Sequence, residues 1–299
     1  MRTNKFILSL CAALLTAACP AIAREIPAYL LQMGPSGKSK ALVVDKKTQT
    51  LALYSSEAEG PQLVKEFRCT TGKNNNGPKS RKGDKKTPNG IYFFRGRLDD
   101  GQLPDKYGVM AFTMDYPNDY DELDNATGSG IWLHAVDDDR RVNLSYDTEG
   151  CVVVTNEDIR ELSHYIGLRD TPIIIDDSLM SLPPAEMERE RKEMNTLIEK
   201  WRAAWAGKDL DAYMDCYHER FHGKKGMNKK AWREYKGRLN RQYKKIEVKV
   251  TDLRLWRYHD YTVAAFIQSY KSSGFSASGF KLLYLADSDK GWKIFSEKM

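Results

Sequence analysis

The chain reads as two domains, a mostly β half followed by an α+β half. Three observations predict this. Up to Asp176, short runs rich in β-branched residues alternate with polar turns. At Pro183-Pro184 the composition shifts to a charged stretch with helical spacing, and beyond Tyr243 strand-like runs return. The 299 residues, 41% of them hydrophobic, are enough for two cores.

In the first half, strands are expected near residues 41–45, 50–54, 63–70, 90–94, 131–136, 151–155 and 172–175. Asp45-Lys46-Lys47-Thr48 supplies a hairpin turn between the first two, and Thr155 or Asn156 caps a helix over 156–166. The Lys-, Asn- and Gly-rich segment 72–87 reads as a solvated loop or as the border of a cleft. Helical spacing then continues through Leu197, Trp201 and Trp205. A second helix is expected to carry Tyr213, Tyr217 and Phe221 on one face, and a third to cover 229–243. Strands follow near 246–256, 261–270, 278–285 and 291–295. The aromatic stripe reads as core, His164 as helix surface, and Tyr258, His259 and Tyr261 as a pocket rim. The boundaries expected are a leader over 1–23, a first domain over 24–178, a linker and charged helix start over 179–195, and a second domain over 196–299.

The leader follows from Lys5, the apolar run to Ala18 and the Ala21-Ile22-Ala23 cleavage pattern before Arg24. Cys19 invites lipidation, yet Thr16-Ala17-Ala18 lacks the expected Leu three residues earlier, so simple cleavage is favoured. Export places the chain in the periplasm or cell envelope, an oxidising setting. Cys69, Cys151 and Cys216 then remain, an odd number that leaves at least one thiol free. Loss of Arg2 and Lys5 takes the net charge from +6 to +4. That suits an anionic polymer or surface, while nucleic acid is excluded by the lack of a basic-aromatic module.

Ile131-Trp132-Leu133-His134 delivers an imidazole on an apolar strand, and Thr148-Glu149-Gly150-Cys151-Val152-Val153-Val154 opens a second one with a thiol. Strand pairing would bring nucleophile and base together. Attack on an amide carbonyl needs a thiolate, so Cys151 is the expected nucleophile and His134 its base. Backbone N–H groups near Gly150 and Cys151 would meet the oxyanion. Taken singly, each residue is equally a structural histidine or a buried thiol.

These residues, together with Ala41-Leu42-Val43-Val44-Asp45, Lys86-Thr87-Pro88-Asn89-Gly90-Ile91-Tyr92 and Tyr116-Pro117-Asn118 with Asp121, resemble the L,D-transpeptidase catalytic (YkuD-type) family over residues 41–176. The second half resembles the SnoaL/nuclear-transport-factor-two-like cone, on element order and on Trp201, Trp205, Asp209, Tyr213, Tyr217 and Phe221. Their pairing is similar to that of cell-shape L,D-carboxypeptidases. The resemblance implies a β-sandwich with no cofactor, acting on peptidoglycan stem peptides. Its cysteine would cleave the bond between the L-centre of a diamino acid and D-alanine, passing the acyl group to water or an amine. It also implies that the Ala135 carbonyl orients His134. An envelope protein or glycan is the ligand expected for the second domain.

Two positions depart from the family pattern. Glu149 stands where an imidazole is usual, and would raise the Cys151 pKa or hold the substrate's side-chain amine. Val153 replaces an arginine that holds substrate carboxylate, which makes Arg140 or Arg141 the candidate replacement. Tyr116 is expected near the cleft or in loop packing, and Asp121 in turn hydrogen bonding. His218-Glu219-Arg220-Phe221-His222 matches the zinc-peptidase pattern, but Phe221 continues the core stripe and Lys224, Lys225, Lys229 and Lys230 oppose a cation. No metal is expected. The alternatives kept open are a catalytically decayed envelope-binding module and, more remotely, that zinc peptidase.

Overall fold

A computed structural model of the chain describes residues 26–75 and 77–298, so the leader and Cys19 expectations lie outside the described residues. The first half is mostly β. It comprises β2 (Lys40–Asp45), β3 (Thr50–Glu57), β4 (Gly60–Arg68), β5 (Gly90–Asp99), β6 (Met110–Met114), β7 (Trp132–His134), β8 (Val152–Val153) and β9 (Pro172–Asp176). Their order is β4-β3-β2-β9-β5-β6-β7-β8. The strand β5 is shared by two halves of this sheet, whose inner faces enclose one core containing Leu42, Val44, Leu53, Phe94, Phe112, Leu133 and Val152. Helix α1 (Asp119–Leu123) begins with the Asn118 and Asp121 capping box, and α2 (Asn156–Ser163) with Thr155 accepting from the Asp158 N–H. Asp121 thus makes the expected turn bonds. The short strand β6 escaped sequence reading because Met-Ala-Phe-Thr-Met shows little β-branched bias.

The second half sets α3 (Pro184–Gly207), α4 (Leu210–Asp215) and α5 (Lys229–Gln242) against β11 (Ile246–Tyr258), β12 (Tyr261–Ser272), β13 (Ser276–Ala286) and β14 (Lys293–Lys298). Pro184 starts α3 at a position where a missing N–H costs nothing. Met194, Ile198, Trp201 and Trp205 then fall on its buried face. Of the linker and charged helix start expected over 179–195, the helix takes over from Pro184. Beneath the helices the core holds the Tyr213, Tyr217 and Phe221 stripe, as read, and also an unexpected cation. Buried Lys236 lies 3.6 Å from the centre of the Trp205 ring, where burial pulls its pKa down to about 7.

One expected element is wrong. Tyr217 and Phe221 are not on a helix with Tyr213: α4 stops at Asp215, and Tyr217–His222 forms β10, paired parallel with β14. A spacing of four keeps one face in a strand as well as in a helix, so periodicity could not separate the two. His218 and His222 consequently lack the helical face that the zinc pattern requires. Glu219 is paired with Lys229 at 2.8 Å, and no metal-ligating cluster occurs among the described residues.

The halves share a second core. Alternation along β2 and β5 sends Ala41, Val43, Ile91 and Phe93 outward, where they meet Trp256, Tyr261, Val263, Tyr284 and Phe295 of the other sheet. Burial on both faces explains why Ala41–Val44 is a continuous apolar run. The strand β1 (Leu30–Gln32) pairs with β11, so the segment assigned by sequence to the first domain contributes an edge strand to the second sheet. At this seam the Asp176 carboxylate accepts from Tyr29 Oη at 2.7 Å and Tyr258 Oη at 3.1 Å, and His259 Nε2 lies 2.8 Å away. The Ile91 N–H donates to Tyr261 Oη at 2.8 Å. Tyr258 and Tyr261 therefore join the domains and do not form the pocket rim expected of them, whereas His259, half exposed, reaches Asp176 and also borders a surface pocket with Arg257 and Trp292. Replacing Asp176 by Ala strands the Tyr258 hydroxyl, while Tyr29 Oη keeps the Ser178 carbonyl and the Met180 N–H, and is expected to cost about 1–3 kcal/mol. A denaturant midpoint equal to that of the parent chain would contradict this role.

Candidate active site

The parallel pairing of β7 with β8 aligns Leu133 with Val152 and His134 with Val153. Leu133 and Val152 point into the core. By alternation Trp132, His134, Cys151 and Val153 share the opposite face. Gly150 turns the chain into β8 at φ +128°, and a Cβ there would lie 2.7 Å from the Lys86 carbonyl oxygen, so no other residue fits. A pocket of about 170 Å³ opens over this face, and His134 and Cys151 both line it.

His134 is buried, and its Nδ1 makes a short contact with the Ala135 carbonyl oxygen. A carbonyl can only accept, so Nδ1 carries the proton and Nε2 keeps the lone pair. The Tyr107 ring meets the imidazole edge-on at 4.9 Å between centres. Gly108 permits this packing, since a Cβ there would lie 2.6 Å from Ala135 Cβ. Burial brings the imidazole pKa down to about 4, and Arg141 and Lys106 push the same way. The Cys151 Sγ donates to the Gly130 carbonyl oxygen at 3.5 Å. Burial raises its pKa to about 11, against weaker opposition from the Trp132 N–H and from Lys106 and Lys79. The resting pair is therefore a neutral thiol beside a neutral imidazole, rather than a standing thiolate. Cys69 and Cys216 are free and buried, as befits core thiols.

The loop that leads into Cys151 is tied from within. Thr148 Oγ1 donates to the Cys151 carbonyl at 2.8 Å and accepts from the Gly150 N–H at 3.1 Å. The Gly150 donor is thus already engaged, and among the described residues the Cys151 N–H has no acceptor. Glu149 turns to the rim, 3.3 Å from both Lys73 and Lys85, which hold its pKa below the usual carboxylate range. It is not among the charges that act on the Cys151 thiol. These lysines come from the 72–87 segment, so the cleft reading of that segment is the right one. Lys79 and Asp84, both nearly fully buried, pair there at 2.6 Å. Asp84 also accepts from the Ser80, Arg81 and Lys86 N–H groups, which fixes the loop from inside.

The other expected residues divide. Arg141 lines the pocket but is held between Asp137 at 3.0 Å and Asp147 at 2.9 Å. Arg140 is exposed and paired with Asp138. Tyr116 does not line the pocket: its ring packs edge-on against Tyr92 in the core, because the apolar ring is better buried than wet. Sequence reading missed Tyr107 and Lys106, which lie in a single 3₁₀ turn, Asp105–Tyr107, before the unrecognised strand β6. Lys106 Nζ sits over the Tyr107 ring at 4.9 Å and, among the described residues, has no carboxylate partner.

A buried neutral thiol sets a clear pH signature. Alkylation of Cys151 by iodoacetamide is expected to accelerate as pH rises toward about 11. A rate that is already on its plateau at neutral pH would contradict this.

The comparisons agree with this architecture. Residues 39–175 match the L,D-transpeptidase catalytic domain (YkuD) model, and residues 193–298 match the Cds6 C-terminal NTF2-like domain. YafK of Escherichia coli is 28% identical over 131 residues, and the alignment spans about half the length of this curated relative. Among solved structures, Bd1075 of Bdellovibrio bacteriovorus is 35% identical with a TM-score of 0.78, over 92% of this chain and 97% of that one. The helical cell shape determining protein Pgp2 of Campylobacter jejuni has the same fold at 22% identity, with a TM-score of 0.71 over 90% of this chain and 94% of its own. The chain belongs to the L,D-transpeptidase catalytic domain family, whose members act on peptidoglycan stem peptides, and carries an NTF2-like domain at its C-terminus.

Proposed function

We propose that this protein cleaves the bond between the L-centre of a diamino acid and the terminal D-alanine of a peptidoglycan stem peptide, through a Cys151 thioacyl-enzyme resolved by water. The observation that carries the reading is the Cys151 thiol and the tautomer-fixed His134 imidazole on one sheet face, in a pocket that Lys106 also lines. As sulfur attacks the carbonyl carbon, His134 Nε2 takes the Sγ proton, so no standing thiolate is needed. The carbonyl oxygen becomes an oxyanion and receives the unengaged Cys151 N–H. The imidazolium then gives its proton to the departing amine as the C–N bond breaks, leaving free D-alanine and a thioester. Water, deprotonated by the same imidazole, displaces sulfur and restores the thiol.

Lys106 takes the part of the arginine that Val153 replaces. Its charge lies close enough to bias both His134 and Cys151, where the carboxylate of D-alanine would sit. The same cation repels an incoming ammonium, which favours water over an amine acceptor. Glu149 serves the lysine rim and not the reacting atoms. The stem peptide lies in the cell envelope, and the leader-like residues at the N-terminus support action there.

Cys151→Ala is expected to abolish conversion of a tetrapeptide muropeptide to the tripeptide, and unchanged turnover would overturn the mechanism. With an amine acceptor added, the tripeptide should remain the product; a cross-linked peptide would move the assignment to a transpeptidase. Lys106→Ala is expected to raise KM about ten-fold or more, as loss of a charged hydrogen bond does. Amidating the substrate's terminal carboxyl should cost the parent enzyme that factor and the variant little.

A further inference from the structure

A strongly positive segment lies in the second domain. Between Lys224 and Lys249 there are eleven Lys or Arg and two Asp or Glu, while the rest of the sequence is negative by three. Part of the segment is neutralised: Lys229 pairs with Glu219, Arg233 with Asp211 and Lys245 with Glu247. Among the described residues Arg241, Lys244 and Lys249 have no carboxylate partner, and all three are exposed.

These cations meet an apolar tip. The β12–β13 hairpin turns at Ser273-Gly274-Phe275, and Phe275 is 55% exposed. The Lys244 N–H donates to Ser273 Oγ at 3.4 Å, which ties the hairpin to the end of α5. The pairing of β11 with β12 sets Lys271 opposite Glu247, on the face that also carries Lys245 and Lys249. One end of the second domain thus presents lysines around a single exposed phenylalanine, with Glu247 as the acid among them.

We propose that this end of the domain docks onto a bilayer surface of anionic phospholipid headgroups, with Phe275 entering the interface. The cations supply long-range attraction to the headgroups, and the aromatic ring gives the contact an apolar foothold. A soluble polyanion would use the lysines but has no place for the ring, which is why a lipid surface is favoured. No helix among the described residues is long and apolar enough to cross a membrane. The proposal stands apart from the reaction, since none of these residues lines the Cys151 pocket.

Co-sedimentation of the full chain with vesicles tests it. Binding is expected to vesicles of phosphatidylethanolamine with phosphatidylglycerol, weak binding to phosphatidylcholine, and release as salt is raised. Lys244→Ala and Lys249→Ala should each lower the partition coefficient about five-fold. Phe275→Ser should lower it several-fold while leaving the salt dependence and the melting temperature unchanged. Equal partition onto phosphatidylcholine would overturn the proposal. So would full binding by the Phe275→Ser variant together with equally tight binding to polyphosphate, which would make the surface a polymer site.

Discussion

The register between β7 and β8 is the constraint on which the candidate site depends. Two residues of β8 face two of β7, and this short ladder decides that His134 and Cys151 share a face. A slip of one position would turn the thiol into the core and Leu133 or Val152 outward. Burial of Leu133 and Val152 opposes that slip, so the hydrophobic core sets the geometry of the polar pair. Gly150 and the Thr148 hydroxyl then fix the approach of the strand, and Ala135 fixes the imidazole.

The same burial sets the electrostatics. Enclosure raises the thiol pKa and lowers that of the imidazole, which keeps both neutral at rest. In the proposed reaction such a neutral pair transfers its proton as sulfur attacks. The lysines of the 72–87 loop reach the rim because a buried Lys79–Asp84 pair holds the loop in shape. Glu149 finds partners among them and leaves the thiol alone.

Much of this was legible in the sequence, for identifiable reasons. Alternating or continuous apolar runs marked seven of the strands of the first half, and Thr155 marked the start of α2. His134, Cys151, Ala135 and Gly150 all come to one place, while Arg141 reaches the pocket already neutralised. What escaped depended on contacts distant in the chain. The roles of Tyr258 and Tyr261 at the domain seam escaped because their partners, Asp176 and Ile91, lie far away in sequence. Lys106 and Tyr107 carried no local signal, since their turn is positioned by Gly108 against Ala135. Tyr217 and Phe221 were misread because a four-residue interval serves both helix and strand.

The two domains meet through apolar side chains of β2, β5 and β9 and a polar seam at Asp176, so the catalytic sheet has its outer face covered by the second domain. The central claim, that Cys151 carries the acyl group, is tested most directly by intact-mass spectrometry of the acid-quenched enzyme mixed with a tetrapeptide muropeptide. A transient adduct is expected on the peptide containing Cys151, its added mass equal to that of the muropeptide minus that of free D-alanine, which takes the thiol hydrogen with it. Release of D-alanine with no adduct at any quench time, and an adduct-free Cys151 peptide in a slowly deacylating substrate analogue, would contradict it.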